Sequence, residues 1–313
     1  LDGRPAGIPV LESVRAAFAA AGGEGAKATH LVVGIAPDGG RLSPEARKDV
    51  LEALELGLHV DACLHDCLSE DPDMARVAAE RGVRIRDVRR PPPREALHFF
   101  SGRVEEVSAF RVAVLGTDSA VGKRTTAWLL RDALEQAGLR TELVGTGQTA
   151  WLQGVRFGMI MDSLVNDFVA GEIEHAVWSA WKEGGAQALV LEGQGSLMNP
   201  AYPGGFEILA AGRPDAVVLQ HAPARREYDG FPGYRLHPLA LQVQAVELLS
   251  GRPVAAVAVS HEGLDQGGVQ AACREILETT GLPACDVLRD GPGLLLEALA
   301  PLLDRWKRGR KHG

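Results

Sequence analysis

The chain has 313 residues and a formal net charge of -8, with 46% hydrophobic and 24% charged residues. At roughly 150 residues per domain this length suggests two domains, and the composition excludes disorder, collagen and coiled coil. The acidic balance argues against a dedicated nucleic-acid binder, which needs a basic face, and gives no reason to expect a membrane surface as partner.

The start, LDGRPAGIPV, has neither an initiator Met nor a signal-peptide pattern, so the first domain is expected to lack its true beginning. Short Val- and Leu-rich runs follow at 30–35, 58–62, 110–115, 141–144, 186–191, 215–219 and 253–259. They do not alternate strictly, which is the pattern of strands covered on both faces of a parallel sheet. Helices are predicted over 43–56, 71–81, 125–137, 162–183, 239–249, 268–280 and 293–307. The first has Ser43 as N-cap, Pro44 at the first helical position and Gly57 beyond its end. Gly82, Gly138, Gly184, Gly251 and Gly281 are placed as C-terminal caps. Repeated strand–helix–strand units give an α/β fold. The triple proline Pro91–Pro93 cannot lie inside a helix or a central strand, so it divides the chain into domains at 1–94 and 95–313, with 91–109 read as a linker or crossing segment. The basic run Arg305, Lys307, Arg308, Arg310 and Lys311 reads as a solvated tail.

Four cysteines, Cys63, Cys67, Cys273 and Cys285, do not make a disulfide scaffold, and a reducing cytoplasm fits best. Cys63-x-His65-x-Cys67 lacks the second ligand pair that a closed zinc site needs, so no metal is assigned. No apolar run approaches the ~20 residues that span a bilayer.

The strongest local signal is RVAVLGTDSAVGKRTT at 111–126: a strand, a Gly-bearing loop, a Lys and a helix start. Loop amides and a helix N-terminus attract an anion, and the Lys adds a point charge. Gly116, Thr117, Asp118, Ser119, Ala120, Val121, Gly122, Lys123, Arg124 and Thr125 are therefore the expected phosphate contacts. Two departures from the common nucleotide motif matter. Five residues separate Gly116 from Gly122, and Arg124 stands where a Mg²⁺-binding Ser or Thr is usual. A ligand whose phosphates are gripped but not cleaved, such as coenzyme A, suits this loop.

GTDSAVGK together with LEGQG (191–195) is similar to the dethiobiotin-synthetase branch of P-loop proteins. A longer resemblance spans nearly the whole chain. GIAPDGGRL (34–42), DVRRPP (87–92), GTDSAVGKRTTA (116–127), GTGQTAW (145–151), DFVAGEIE (167–174), LEGQGSL (191–197) and QHAPARREYDGFP (220–232) resemble the DUF1611 family. The resemblance implies a Rossmann-like N-terminal domain and a P-loop NTPase-like C-terminal domain with a mainly parallel sheet. It also implies transfer of an acetyl group from acetyl-CoA to the amine of D-glutamate, beside an epimerase of the dipeptide-epimerase type. Cys63 departs from the Gly that more often precedes Leu-His in that family.

Other candidates come from strand ends, where ligands of open α/β sheets sit. Glu192 is placed near the loop as a general base for the attacking amine, or as a Mg²⁺ partner in a nucleotide enzyme; otherwise it caps the next turn. His221 is a base, an oxyanion donor or a structural histidine. Asp162 is a catalytic candidate, sharing a helical face with Asn166, or simply an N-cap. Gln148, Thr149, Asn166, Arg225, Arg226 and Tyr228 are assigned to substrate binding, an Arg pair suiting a carboxylate; at least one of the two arginines is otherwise a surface charge, and Tyr228 otherwise a packing residue with its hydroxyl paired. Glu174 and His175 are read as a solvated face. The turn 34–40 with His65 is a further ligand-facing candidate, without the dinucleotide spacing.

The expected activity is thus amino-acid N-acetylation with acetyl-CoA as cosubstrate. Two other classes stay open: an ATP- or GTP-dependent ligase or kinase using Mg²⁺, and a non-catalytic nucleotide- or CoA-binding module. A small-molecule substrate, a homo-oligomer, and no nucleic-acid or membrane partner are expected.

Overall fold

The computed structural model describes residues 7–22, 27–35 and 37–310. The chain forms two compact units that meet in sequence between Pro93 and Arg94. The first contains α1 (Val14–Ala21), β1 (His30–Val33), α2 (Pro44–Glu55), β2 (His59–Ala62), α3 (Pro72–Arg81) and β3 (Ile85–Asp87). Its strands pair in the order β1-β2-β3, all parallel. The Ser43 hydroxyl accepts from the Ala46 amide at 3.1 Å and starts α2; the Asp71 carboxylate caps α3 and is held by Arg47. Val50, Leu54, Val60, Leu64 and Met74 fill the core.

The second unit carries β4 (Phe110–Gly116), α4 (Lys123–Gln136), β5 (Thr141–Gly145), α5 (Gln148–Leu152), β6 (Phe157–Gly158), α6 (Asn166–Lys182), β7 (Ala188–Glu192), α7 (Phe206–Gly212), β8 (Ala216–His221), α8 (Leu239–Ser250), β9 (Val254–Val259), α9 (Gln266–Thr280), β10 (Ala284–Cys285) and α10 (Gly293–Arg310). Seven parallel strands run in the order β10-β9-β8-β4-β7-β5-β6. Side chains on β4 alternate between two cores. Ala113 and Leu115 join Ile173, Val177, Ile208 and Val243 on one face. Val112 and Val114 join Leu130, Leu134, Leu295 and Leu299 on the other. Both faces are dry, which is why the strand sequences read as unbroken apolar runs.

Several expectations need correction. The helix foreseen from Asp162 begins at Asn166, because the Met161 amide donates to the Thr146 carbonyl at 3.0 Å and ties 161–163 into a separate short turn. Asp162 therefore neither caps α6 nor lies one helical turn from Asn166. Gly185, not Gly184, takes the left-handed conformation after α6 (φ 64). The basic run continues α10 as far as Arg310, with Lys311 outside the described residues. The short strands β3, β6 and β10 and the helices α1, α5 and α7 have too few residues, or too weak a period, to stand out in the sequence.

Glu174 is buried rather than solvated, and His175 is stacked on His98 with ring centroids 3.6 Å apart. One Glu174 oxygen accepts from the Ser101 amide (2.7 Å) and hydroxyl (2.8 Å), the other from the Val104 amide (3.2 Å). Glu172 likewise accepts from the amide and ring of His98. The segment foreseen as a linker is thus strapped to α6 in the second unit. Burial alone would raise the Glu174 pKa, but the bonds from Ser101 and Val104 outweigh it and hold the carboxyl below its ordinary value. Its contribution to stability is then present above the unfolded value, about 4.3, and is lost as pH falls through the lower folded value. Glu174→Ala is expected to destabilise the second unit by about 2–3 kcal/mol, read as a lower urea midpoint at neutral pH; an unchanged midpoint would show that the strap carries no weight.

Candidate functional site

The carboxyl ends of β4, β5, β7 and β8 converge around the loop that follows β4. Gly116 ends that strand where a side chain has no room: a Cβ there would lie 2.8 Å from Lys123 Cδ and 3.1 Å from the Asp118 carbonyl. The loop turns through two left-handed residues, Ala120 (φ 50) and Gly122 (φ 106), before α4 starts at Lys123. The Lys123 side chain folds back, and its Nζ donates to the Asp118 carbonyl oxygen at 2.7 Å. Burial pulls its pKa down to about 8, against the opposing pull of Asp118 and Glu192. Arg124 and Thr125 are half-buried. Thr126 donates its hydroxyl to Gln220 at the end of β8.

The Asp118 side chain has no exposed surface. One oxygen accepts from the Ser119 amide (2.7 Å) and Asn199 Nδ2 (2.9 Å). The other accepts from Arg225 Nη1 (3.0 Å) and the Asp229 amide (2.9 Å). Arg225 also donates to the carbonyls of Ser119 (2.7 Å) and Ala120 (3.3 Å), and through Nε and Nη2 to Glu262. All five guanidinium N–H groups are engaged by the protein. The substrate role expected of Arg225 is therefore corrected: it holds the loop.

Beside this loop, Glu192 ends β7. Its carboxylate accepts from the Thr146 amide, and the Thr146 hydroxyl donates to its carbonyl, both at 3.1 Å. Burial raises the Glu192 pKa, partly offset by the Thr146 bond and by Arg124 and Lys123. Gly193 follows against β4, where a Cβ would meet the Val114 carbonyl at 2.5 Å. Gln194 Nε2 donates to the Thr146 carbonyl at 2.9 Å. That carbonyl also receives the Met161 amide, which brings the turn bearing exposed Asp162 to the same sheet edge. His221, at the end of β8, shares a 2.9 Å hydrogen bond between its Nδ1 and the buried Thr117 hydroxyl. Burial lowers its pKa to about 4, so it is neutral at physiological pH.

Glu192, His221, Lys123 and the loop are thus brought together. Gln148 and Thr149 open the short helix α5 behind the Thr146 turn and are half-buried. Asn166 and Arg226 are exposed. Tyr228 is buried, with its hydroxyl bonded to His237 Nδ1 at 2.7 Å, so it packs the loop and does not face a ligand as expected. Asn199 and Glu262 were not foreseen. The Asn-Pro pair at 199–200 signals a turn, but no local pattern places its amide on Asp118. In the first unit, the Gly40 carbonyl accepts from the His65 amide at 2.9 Å, and Arg89 reaches His65 Nε2. The turn after β1 and the loop after β2 therefore meet. Among the described residues no three His, Cys, Asp or Glu side chains gather as metal ligands, and no helix is long and apolar enough to cross a membrane.

Comparison with known proteins decides the family. Residues 98–296 match the P-loop domain, and residues 1–91 the Rossmann-like domain, of a family described as a domain of unknown function, DUF1611. The chain belongs to the DUF1611 family. A Tritonibacter scottomollicae protein named D-glutamate N-acetyltransferase is 32% identical over 88% of this chain and 82% of its own length. A Pseudoalteromonas protein of the same name is 29% identical over 84% of this chain and 79% of its own length. The crystal structure of a DUF1611 family protein from Anabaena variabilis superposes with a TM-score of 0.85 at 30% identity, covering 94% of this chain and 84% of that one.

The depressed Lys123 pKa makes a prediction for this family member. Above about pH 8 the free lysine is largely neutral, whereas a bound phosphate favours the ammonium. Any phosphate ligand held by this lysine should therefore bind more weakly as pH rises past this value, with proton uptake detectable by calorimetry in buffers of different ionisation heat. Lys123→Ala should weaken binding roughly ten- to a hundredfold; equal affinity in the variant would remove the lysine from phosphate recognition.

Proposed function

We propose that this chain is an N-acetyltransferase that moves the acetyl group of acetyl-CoA to the amine of D-glutamate. The observation that carries the reading is the pair of relatives bearing that name, each aligned over more than four-fifths of this chain. The site is compatible with it. Arg124 follows the phosphate-loop lysine, and Thr126 is spent on Gln220. Thr125 lies one residue beyond the position after the lysine where nucleotide enzymes place a Mg²⁺-binding hydroxyl, turned by about 100° around α4. A loop so built suits phosphates that are held and not transferred.

In this reading the loop holds the phosphates of CoA and the amino acid lies beside Glu192. Glu192 takes a proton from the substrate ammonium, and the lone pair of the resulting amine attacks the thioester carbonyl carbon. The tetrahedral oxyanion collapses and the C–S bond breaks; the nitrogen gives up its second proton, which the departing CoA thiolate takes, and Glu192 releases its own proton to solvent. Burial raises the basicity of Glu192 and so matches it better to an ammonium. In this reading the Thr117 hydroxyl donates to Nδ1 of neutral His221, whose proton then sits on Nε2 and is donated to the oxyanion. Exposed Arg226, unlike Arg225, is unengaged among the described residues and in this reading pairs with a substrate carboxylate.

Incubation with acetyl-CoA and D-glutamate should yield N-acetyl-D-glutamate and one free thiol per product. No product would overturn the reading, and Mg²⁺-dependent hydrolysis of ATP or GTP would favour a ligase or kinase instead. Glu192→Gln should lower kcat by about 10²–10⁴ with little change in KM for acetyl-CoA. Because the base works as the carboxylate, the rate should fall as pH drops through a value above the ordinary Glu range. An acid limb at the ordinary value would argue against Glu192.

A further inference from the structure

We propose that Arg225 is a positioning residue for phosphate recognition: by holding the carbonyls of Ser119 and Ala120, its guanidinium turns the amides of Ala120 and Val121 toward the bound phosphates. In a planar trans peptide the C=O of one residue and the N–H of the next point in opposite directions. Arg225 Nη1 takes the Ser119 carbonyl and Nη2 the Ala120 carbonyl. The amides of Ala120 and Val121 therefore face away from Arg225.

The other side of the loop is marked independently. The Ser119 amide points toward the Asp118 carboxylate, on the Arg225 side. The Asp118 carbonyl, opposite to it, receives Lys123 Nζ. The Ala120 and Val121 amides thus share the side of the loop that holds the ammonium. Among the described residues, the amides of Ala120, Val121 and Gly122 donate to no protein atom. Unspent amides on the side of the loop that holds an ammonium make an anion cradle.

Holding that row has a cost. Ala120 sits at φ 50, a conformation a residue with a Cβ rarely adopts. The bond from Arg225 to its own carbonyl opposes relaxation of the turn. Glu262 and Asp118 clamp the guanidinium from two sides, so the cradle is set before any ligand arrives. A lysine has the charge of Arg225 but cannot form this planar fork.

The inference rests on the phosphate-binding half of the reading above, and its test does not require acetyl transfer. Binding of CoA, ADP and inorganic pyrophosphate is measured for the full chain, for Arg225→Lys, and for Glu262→Gln, which loosens only the outer clamp. Arg225→Lys should weaken every bound probe by about tenfold or more, the effect of misplacing a charge-assisted hydrogen bond. Glu262→Gln should weaken them less, with the thermal midpoint unchanged. With acetyl-CoA as substrate, KM should rise while kcat at saturation holds within about threefold. Wild-type affinity in Arg225→Lys would overturn the proposal, because charge alone would then suffice. So would a loss of kcat with KM unchanged, which would place Arg225 at the reacting atoms. Failure of all three probes to bind wild-type protein would overturn the phosphate role itself, whereas probe binding without acetyl product would overturn only the acetyltransferase reading.

Discussion

A carboxylate with no solvent contact, Asp118, ties together three loops that belong to different parts of the sequence. Its own loop supplies the Ser119 amide, the loop after β7 supplies Asn199, and the loop after β8 supplies Arg225 and the Asp229 amide. A buried charge is costly unless its lone pairs are all met. Four donors on two oxygens meet that demand. Removing one partner would leave the charge underpaired, so the three loops hold their places together.

The same burial that makes Asp118 expensive tunes the groups around it. Lys123 is dragged toward neutrality, Glu192 toward protonation and His221 well into its neutral form. Desolvation is the leading cause in each case; Asp118 and Glu192 oppose it at Lys123, and the Thr146 bond, Arg124 and Lys123 oppose it at Glu192. One buried environment thus shifts a carboxylic acid, a lysine and a histidine all toward their neutral forms, a clustering of perturbed groups that marks a candidate site. The sheet makes this possible: β4 lies between β7 and β8, so the ends carrying Lys123, Glu192 and His221 are neighbours.

Much of the fold was legible because it rests on local rules. Dry strands read as apolar runs, Ser43 and Asp71 stand where caps are needed, and the glycine-bearing loop sits between a strand and a helix. Glu174 was misread because helical position alone does not say which polar face is covered. The segment 98–104 comes from some seventy residues away and buries it. The helix start placed at Asp162 was misread for a similar reason. The helix is interrupted by a bond to the Thr146 carbonyl on another strand end, which no propensity encodes.

The site divides along the same line. The sequence by itself determined the family, the phosphate loop, and Glu192 and His221 as strand-end candidates, since these are short motifs whose meaning lies in adjacent residues. Only the tertiary structure decided what the two neighbouring arginines do. Arg225 and Arg226 are chemically alike and adjacent, yet one spends all five donors on the loop and Glu262 while the other remains exposed. The physical reason is that a guanidinium's role depends on which acceptors surround it. Those acceptors, Asp118, Ser119, Ala120 and Glu262, lie far from it in sequence and close in the fold.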